Sequence, residues 1–335
     1  MPEQPTKPGQ LSPAVTRLAP SPTGALHLGN ARTFLINWAL AKQHGWRIVL
    51  RIEDLDGPRV KPGADTQAIG LLAWLGMDWD EGPYYQASEL SPYHEALCRL
   101  LRHGLIYPCT CSRKDIEQAQ SAPHQDSHEL RYPGTCRPGP EADRAYDCGS
   151  LLEASHQAWR IIVPEDAIAF DDRLHGRQSV NIHEQVGDFI VATKSGLPAY
   201  QLAVVVDDAR QGVTDVVRGD DLLGSTARQL WLYRVLELEP VPRYTHLPLV
   251  LGPDGRRLAK RHGDTRLDRY RQMGVSSERV IGLIAWWSGV CDERTEMSAQ
   301  VFAERFSLER LPRNPVTYTQ EDEAWLLAGC CVSRD

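Results

Sequence analysis

The sequence predicts an α/β protein whose parallel sheet is interrupted by an irregular segment. Residues 15–56 show strand, helix and strand patterns in succession, and two further apolar strand patterns follow at 200–206 and 213–217. Residues 105–150, between these parts, are rich in Cys, His, Pro and Gly and have no long hydrophobic period. A chain of 335 residues is long enough for about two domains, so it can bury a core of its own.

The first strand–helix–strand unit begins with a short strand pattern at 15–19. A Ser-Pro-Thr-Gly turn at 21–24 ends this strand, because proline removes a donor and glycine admits positive φ. Apolar side chains then recur at helical spacing from Ala31 to Gly45, and an apolar strand at 48–52 ends in acidic residues. Since ligands of open α/β sheets bind at the carboxyl ends of strands, we expect part of a site here.

Later segments continue the alternation. Helical patterns recur at 65–75, 93–101, 226–238, 280–287, 299–306 and 321–327. Asp65 is the expected N-cap of the first of these helices. The segments 159–163 and 180–182 are expected to pair as strands of an accessory region. The continuous apolar runs 200–206 and 213–217 are predicted as strands buried on both faces, where the parallel sheet resumes.

Composition and charge exclude several classes of protein. The 42% hydrophobic and 24% charged residues are ordinary for a globular protein. With 37 basic against 44 acidic residues and a net charge of −7, the chain cannot coat nucleic acid by bulk charge, so an RNA partner would need a local basic face. Neither a bilayer-spanning apolar stretch nor a secretory signal is recognisable. We therefore expect a cytoplasmic protein without a membrane partner, and a loose lead-in at 1–13.

The cysteines indicate a metal site. Intracellular thiols stay reduced, so closely spaced cysteines are more naturally metal ligands than disulfides. Cys109 and Cys111 lie on one short turn, and Cys136 can bring a third thiolate across the irregular segment, as in a structural zinc site. The spacing leaves the fourth ligand open among three candidates, which are His124, His128 and Cys148. Three unconnected thiols are the alternative.

Residues 17–30, RLAPSPTGALHLGN, are a candidate anion-binding corner. A strand, a proline–glycine turn and a helix N-terminus follow one another, and free backbone N–H groups and the helix dipole both favour phosphate there. His27 and Asn30 would add side-chain donors. The segment is not a P-loop, because GxxxxGK[ST] is absent from the chain. A purely structural turn is the alternative.

A second candidate segment, RRLAKRH at 256–262, follows the Gly-Pro-Asp-Gly sequence at 252–255. Clustered cations on a mobile loop can offset the charge that develops during phosphoryl or nucleotidyl transfer. Taken alone, this segment is more simply a solvated basic loop.

Together the two segments resemble those of class I aminoacyl-tRNA synthetases of the glutamate type. The sequence HLGN at 27–30 is similar to the HIGH motif, and RLAKR at 257–261 is similar to the KMSKS loop. Other similar segments, in family order, are RIEDLD at 51–56, DWDEGP at 78–83, YQLA at 200–203 and VRGDDL at 217–222. Few residues follow Arg261. In this respect the chain resembles a truncated branch of the family, the glutamyl-Q tRNA(Asp) synthetases, rather than full enzymes with anticodon-binding domains.

The resemblance implies a Rossmann-type catalytic core with a zinc-bearing insertion and a short C-terminal helical region. The implied division is a lead-in at 1–13, a first half of the core at 14–104, an insertion at 105–190, a second half at 191–255, and the KMSKS-like loop with a helical stem-contact region at 256–335. The implied activity is activation of L-glutamate with ATP and Mg²⁺ without tRNA. Transfer of glutamate to queuosine at the wobble position of tRNA(Asp) follows, by a monomer with one structural zinc ion.

The resemblance also assigns residues to roles. The implied glutamate contacts are Arg17, Ser21, Glu53, Tyr200 and Arg218. The implied ATP contacts are Pro20, His27, Gly29, Asn30 and Lys260, with His27, Asn30 and Lys260 as the catalytic group. The implied zinc ligands are Cys109, Cys111, Tyr132 and Cys136. Glutamate has two carboxylates and one ammonium, which fits two cations and an anion, with Arg218 as a candidate for a bidentate grip on the side-chain carboxylate.

The chain departs from the family pattern in two places. Asn30 replaces the second histidine of the HIGH motif, and Arg257, Ala259 and Arg261 replace a lysine and two serines of the KMSKS pattern, while Lys260 remains. Alternative functions are a truncated glutamyl-tRNA synthetase that charges the tRNA 3′ end, a non-catalytic glutamate or nucleotide sensor, and an unrelated nucleotidyltransferase. The RNA face is expected to include the 256–261 loop and the insertion.

Overall fold

The structure is a computed structural model of the full chain. It describes residues 13–119, 130–139, 146, 148–151, 156–256, 258 and 264–328. Within these residues, no helix has both the length and the apolar character that crossing a membrane requires.

The described residues form a mixed α/β structure. Its strands are β1 (Val15–Leu18), β2 (Arg47–Ile52), β3 (Glu81–Tyr85), β4 (Ile106–Cys109), β5 (Ala158–Ile161), β6 (Ile168–Asp172), β7 (Gly176–Val180), β8 (Phe189–Ala192), β9 (Asp215–Gly219), β10 (Arg243–Leu247), β11 (Val250–Leu251) and β12 (Val316–Thr317). Its helices are α1 (Leu28–His44), α2 (Ala64–Trp74), α3 (Ser91–Arg102), α4 (Arg113–Ala119), α5 (Ile182–Gln185), α6 (Tyr200–Arg210), α7 (Leu223–Val235), α8 (Leu267–Gln272), α9 (Ser277–Trp287), α10 (Ala299–Arg305) and α11 (Gln320–Leu327).

Two sheets form the centre of the molecule. One is the parallel sheet β1-β2-β3, and the other is the four-stranded sheet β7-β6-β10-β9, in which β9 and β10 are parallel. The two sheets meet where Thr214 N–H donates to Val15 O at 2.9 Å and Val15 N–H donates to Thr214 Oγ1 at 2.9 Å. The parallel sheet therefore resumes beside β1 after the intervening segment, with β9 as the resuming strand.

A third, antiparallel sheet, β4-β5-β8, carries the cysteine-bearing turn that follows Cys109. The short parallel pair of β11 with β12 joins Val250 to Val316 and so ties the C-terminal helical part to the sheet region. β6 belongs to the four-stranded sheet, where its last residue, Asp172, pairs with Tyr244 of β10.

The apolar core is divided into two large clusters. In the first, α1 packs against the β1-β2-β3 sheet and the C-terminal helices, through fully buried residues such as Leu35, Ile48 and Ile284. In the second, α3, α6 and α7 pack against the antiparallel sheet, through residues such as Val204 and Leu232. Both clusters leave the carboxyl ends of β1, β2 and β9 at the surface between them, and this position decides where a ligand can bind.

The structure confirms most of the predicted elements to within a few residues, but the predicted strand at 200–206 is wrong. Residues Tyr200–Arg210 form helix α6, and Leu202 to Val206 are all at most 5% exposed. A helix that is buried on nearly all sides has apolar residues all round, so its sequence lacks the 3.6-residue period. Short apolar runs do not distinguish a buried strand from such a helix.

Two further expectations need correction. Asp65 is not the N-cap of α2, because Gly63 occupies that position at φ 76° and Asp65 lies in the first turn. The segments 159–163 and 180–182 do not pair, since β5 lies between β4 and β8 while β7 pairs with β6. Asn181 instead caps α5, with its side chain accepting from Glu184 N–H. A side-chain acceptor just before Ile182 favours a helix start over a continued strand.

Candidate active site

A cleft of about 550 Å³ lies at the carboxyl ends of β1, β2 and β9. It gathers nearly every residue that the sequence assigned to glutamate or ATP. These are Arg17, Pro20, Ser21, His27, Gly29, Asn30, Glu53, Tyr200 and Arg218. Lys260 and its neighbours Arg257, Ala259 and Arg261 lie outside the described residues.

Arg218, near the end of β9, is a buried cation at the wall of this cleft. It is 5% exposed, and its guanidinium donates to four groups: His246 Nε2 at 3.0 Å, Gln229 Oε1 at 2.8 Å, Thr226 Oγ1 at 2.9 Å and Leu222 O at 3.3 Å. None of the ion pairs among the described residues includes Arg218. A buried cation without a carboxylate partner favours an anionic ligand.

Those four hydrogen bonds limit how Arg218 can hold a ligand. A guanidinium has five N–H groups, so in this arrangement one N–H, on the nitrogen that also donates to Gln229, is left for the cleft. A bidentate grip through both terminal nitrogens would require the 3.3 Å bond to Leu222 O to open. The structure as it stands offers a single N–H and the full positive charge.

Arg17 and Arg51 are different, because carboxylates pair with both. Asp208, on α6, lies 3.4 Å from Arg17 Nε and 2.8 Å from Arg51 NH1. Arg51 also reaches Glu53 at 3.2 Å and donates to Gln211 Oε1 at 2.7 Å. Because Arg51 is 1% exposed and points behind the cleft wall, it supports Glu53 and Asp208 from inside the fold.

Glu53 supplies the negative charge on the cleft. Its backbone N–H donates to Pro20 O at 3.1 Å, which fixes the strand end against the turn after β1. Burial raises the pKa of the Glu53 carboxyl, and the guanidinium groups of Arg51 and Arg17 offset only part of that effect. A ligand ammonium at this carboxylate would favour its charged form. Tyr200 is 41% exposed, and Ser21 is exposed at the opposite rim.

The N-terminus of α1 lines the cleft and is stabilised by a reciprocal cap. His27 Nδ1 accepts from Gly29 N–H at 3.1 Å, and Asn30 Oδ1 accepts from His27 N–H at 3.1 Å. A Cβ at position 29 would lie 3.1 Å from the His27 ring, so glycine permits this close approach. The cap engages Asn30 through its oxygen, which leaves the amide NH₂ as a donor for a phosphate.

The chain segment that contains the KMSKS-like sequence is attached beside this cap. Leu28 N–H donates to Thr265 O at 3.2 Å, and Leu267 N–H donates to Leu26 O at 2.9 Å. On the other side of the segment, Val250 lines the cleft and pairs with Val316. Both flanks are therefore anchored at the cleft.

A second site lies on the antiparallel sheet. The Sγ atoms of Cys109, Cys111 and Cys136 all lie within 4.8 Å of one another, and the last two are 3.5 Å apart. Thiolates on one tetrahedral zinc ion with Zn–S bonds near 2.3 Å lie about 3.8 Å apart, so this donor set fits zinc. The Tyr132 hydroxyl is 3.5 Å from Cys109 Sγ and accepts from Cys136 N–H at 2.7 Å. The Tyr132 hydroxyl therefore lies beside two of the three cysteines.

One of the alternative fourth ligands, Cys148, is not at this cluster. Cys148 lies against α3 instead, where His94 Nε2 is 2.7 Å from Cys148 O and Cys98 Sγ is 3.9 Å from the same oxygen. His124 and His128 lie outside the described residues.

The sequence reasoning missed two groups that shape the cleft. Asp208 lies just beyond the run 200–206 that is predicted as a strand, and the helical geometry of α6 turns it toward Arg17 and Arg51. His246 and Asp172, which support Arg218, had no local signal, because β6 and β10 are brought together only by the sheet.

Comparison with known proteins agrees with this arrangement. The family described as tRNA synthetases class I (E and Q), catalytic domain, matches residues 13–322. Among curated proteins, the chain is 46% identical over 323 residues to a glutamyl-Q tRNA(Asp) synthetase of Symbiobacterium thermophilum, covering 93% of this chain and 98% of that protein. A protein of the same name from Rhodopirellula baltica is also 46% identical, over 91% of this chain and 96% of its own length.

Other relatives are longer than the region that this chain matches. A glutamate–tRNA ligase of Geobacter sulfurreducens is 38% identical over 92% of this chain but over only 64% of its own length. The crystal structure of a glutamate tRNA ligase from Elizabethkingia meningosepticum in complex with its amino acid matches with a TM-score of 0.76 and 26% identity, over 94% of this chain and 69% of that chain. The chain therefore belongs to the class I tRNA synthetase family of the glutamate and glutamine type, and residues 13–322 are its catalytic domain.

Proposed function

We propose that this protein activates L-glutamate with ATP to glutamyl-adenylate, without needing tRNA, and then transfers the glutamyl group to queuosine at the wobble position of tRNA(Asp). The observation that carries the glutamate part is Arg218, a cation that is 5% exposed, lines the cleft and is held by neutral acceptors. The names of the relatives that match nearly end to end support the queuosine acceptor.

The charges of the cleft match those of glutamate. Arg218 would face the side-chain carboxylate, and Arg17 would face the α-carboxylate. The positive charge of Arg17 is partly offset, because Asp208 lies 3.4 Å from its Nε. Glu53, with the Tyr200 hydroxyl, would receive the ammonium, and Ser21 would complete the contacts at the rim. Because Arg218 is the cation without a paired carboxylate, selectivity for a negatively charged side chain is assigned to it.

ATP would lie across the turn after β1 and the N-terminus of α1. Pro20 and Gly29 bring the backbone close, and His27 and Asn30 flank the helix end, where the helix dipole and the Asn30 amide NH₂ favour phosphate. Lys260 would hold the leaving phosphates, and Mg²⁺, which class I synthetases use with ATP, would supply further charge neutralisation.

The reaction needs positioning and charge stabilisation more than proton transfer. A glutamate α-carboxylate oxygen attacks the α-phosphorus, the bond to the bridging oxygen of the β-phosphate breaks, and pyrophosphate leaves with that electron pair. The nucleophile is already anionic, so no general base is required in this step. A hydroxyl oxygen of the queuosine diol then attacks the glutamyl carbonyl, the bond from that carbonyl to the AMP phosphate oxygen breaks, and the hydroxyl proton leaves with AMP or to solvent.

The remaining assignments follow the same reading. We assign the zinc site to Cys109, Cys111, Tyr132 and Cys136, whose donor atoms fit a closed structural site. Zinc would link the cysteine-bearing turn to the antiparallel sheet. We also propose the division at 14–104, 105–190, 191–255 and 256–335, in which β6 of the insertion pairs with β10 of the second half.

ATP–pyrophosphate exchange tests the activation step. Exchange should depend on L-glutamate and proceed without tRNA, and Lys260→Ala should sharply reduce it. Absence of exchange with glutamate would indicate a glutamate or nucleotide sensor instead, and unchanged exchange in Lys260→Ala would contradict the proposed mechanism.

Transfer is tested with labelled glutamate and two tRNA(Asp) samples, one that carries queuosine and one transcript that lacks it. Label should enter only the queuosine-bearing tRNA. Stable labelling of the transcript would instead identify an enzyme that charges the tRNA 3′ end.

A further inference from the structure

Behind Arg218, away from the cleft, three buried side chains form a line across the four-stranded sheet. Asp172 Oδ2 lies 2.7 Å from His246 Nδ1, and His246 Nε2 lies 3.0 Å from Arg218 Nε. Asp172 ends β6, His246 lies on β10 and Arg218 lies on β9, so each strand contributes one member. All three residues are at most 5% exposed, and His246 is fully buried.

The donors and acceptors in this line fix the state of the imidazole. Arg218 Nε can only donate, so His246 Nε2 accepts and carries no proton. His246 Nδ1 therefore carries the ring proton and donates it to Asp172. Burial and the nearby Arg218 guanidinium lower the pKa of His246 although Asp172 raises it, which agrees with a neutral ring.

The surroundings hold this arrangement in place. Asp172 Oδ1 accepts from Leu174 N–H and His175 N–H, both at 2.9 Å, and its Oδ2 also accepts from His246 N–H at 3.1 Å. The carboxylate is therefore engaged on both oxygens and cannot swing toward Arg218. The other polar groups facing His246 are Thr226 Oγ1, 3.3 Å from Nε2, and His175 Nε2, 3.2 Å from the backbone oxygen.

We propose that His246 is a positioning residue for the ligand carboxylate, acting as a neutral spacer that holds Arg218 by its Nε while keeping Asp172 apart from the guanidinium. This inference rests on the proposed function, in which Arg218 faces the glutamate side chain. Asp208 lies directly against Arg17 and Arg51, and a direct carboxylate at Arg218 would offset its charge in the same way. With the imidazole between them, Arg218 is oriented by a neutral acceptor and its charge remains available to the ligand.

Two substitutions at one position separate the two contacts of His246. In His246→Gln the longer amide can place its oxygen at the Nε2 position and still accept from Arg218 Nε. In His246→Asn the shorter amide can place its NH₂ at the Nδ1 position and donate to Asp172, but nothing reaches Arg218. The experiment measures glutamate-dependent ATP–pyrophosphate exchange, with KM for glutamate, KM for ATP and kcat determined separately.

We expect His246→Asn to raise KM for glutamate by about ten-fold or more, because a hydrogen bond to a buried charged group is lost. KM for ATP should change little, and His246→Gln should restore most of the glutamate affinity. The matched control is His183→Asn, since this half-buried histidine also lies beside an arginine, 3.3 Å from Arg131, but away from the cleft. A purely structural role would make both His246 variants alike and would not separate the two KM values, and that result would overturn the proposal.

A second measurement needs no substitution. In the ¹⁵N spectrum of the wild-type protein above pH 7, the His246 ring should show the neutral tautomer with the proton on Nδ1. A charged ring, or a proton on Nε2, would overturn the proposal even if His246→Asn fails to fold. Absence of glutamate-dependent exchange in the wild-type protein would instead reject the proposed function and is a separate outcome.

Discussion

The guanidinium of Arg160 lies 3.8 Å from the centroid of the Tyr132 ring and donates from Nε to Cys109 Sγ at 3.3 Å. One buried arginine thus contacts both a sulfur of the cysteine cluster and the tyrosine beside it. A second bond, from Arg160 NH1 to Asp188 O at 2.7 Å, ties the arginine to the segment before β8. The stacking fixes the Tyr132 ring where its hydroxyl lies 3.5 Å from Cys109 Sγ.

We therefore expect one zinc ion per chain in the purified protein, and its loss when a cluster cysteine is removed. Cys111→Ala should abolish stoichiometric zinc as measured by elemental analysis and lower the melting temperature, because a structural zinc site contributes folding energy. Cys148→Ala is the matched control, since Cys148 lies against α3 and should leave the zinc content unchanged.

Tyr132→Phe then decides the fourth ligand. Weaker zinc retention against a chelator would support tyrosinate ligation, whereas full retention would remove Tyr132 from the ligand set and leave the three cysteines with another partner.

The buried ion pairs of Asp208 should contribute far more to the free energy of unfolding than an exposed ion pair does. It is 4% exposed and contacts both Arg17 and Arg51, so Asp208→Asn leaves two buried guanidinium groups with less compensation. Removing one partner of a buried pair costs about 3–5 kcal/mol. Asp171→Asn, in an exposed pair with Arg177, should cost about 0–1 kcal/mol. Urea unfolding of both variants measures the two costs, and equal costs would mean that Asp208 does not hold the arginines.

Glu323 predicts a contribution to stability that depends on pH. Burial alone would raise the pKa of Glu323, but hydrogen bonds from Tyr270 and Tyr318 and the guanidinium of Arg269, 2.7 Å away, outweigh it and lower the pKa below the ordinary value. Because the folded pKa is depressed, the stabilisation is present above the ordinary glutamate pKa and is lost as the pH falls through the folded value.

Unfolding free energies of the wild type and of Glu323→Gln should therefore differ at pH 7 and converge in acid. Glu321→Gln, at an exposed position two residues earlier in α11, is the control and should show little difference at either pH. A Glu323→Gln difference that persists undiminished at low pH would contradict the ionic origin of the effect.

The parts of the site that the sequence predicted are those that lie beside local breaks in the chain. Glu53 follows the end of β2, Arg218 lies near the end of β9, and HLGN begins at the N-cap of α1, so the position of each could be predicted from its neighbours, whereas its role was implied by the family resemblance. The supporting groups have no such signal. Asp172 and His246 are 74 positions apart, and the register that joins them arises only when β6 pairs with β10.

The error at 200–206 has a similar cause. Local pattern reports how much of a segment is buried, but a segment buried on all sides has the same apolar sequence as a helix or as a strand. The segment is a helix because α6 packs between α3 and α7, and the helix also determines the direction in which Asp208 points.

Substitution of Asn30 by aspartate should have opposite effects on protein stability and on ATP binding. Its oxygen accepts from His27 N–H at 3.1 Å, so Asn30→Ala should lose about 0.5–1 kcal/mol of stability together with the cap. Asn30→Asp keeps an acceptor and places a negative charge at the N-terminus of α1, so stability should be equal or higher. The same substitution removes the NH₂ donor and sets a carboxylate against the ATP phosphates. We therefore expect KM for ATP in pyrophosphate exchange to rise about ten-fold or more in Asn30→Asp, with KM for glutamate little changed. An unchanged KM for ATP would mean that Asn30 only caps the helix, and the last position of the HIGH-like motif would then have no part in binding the nucleotide.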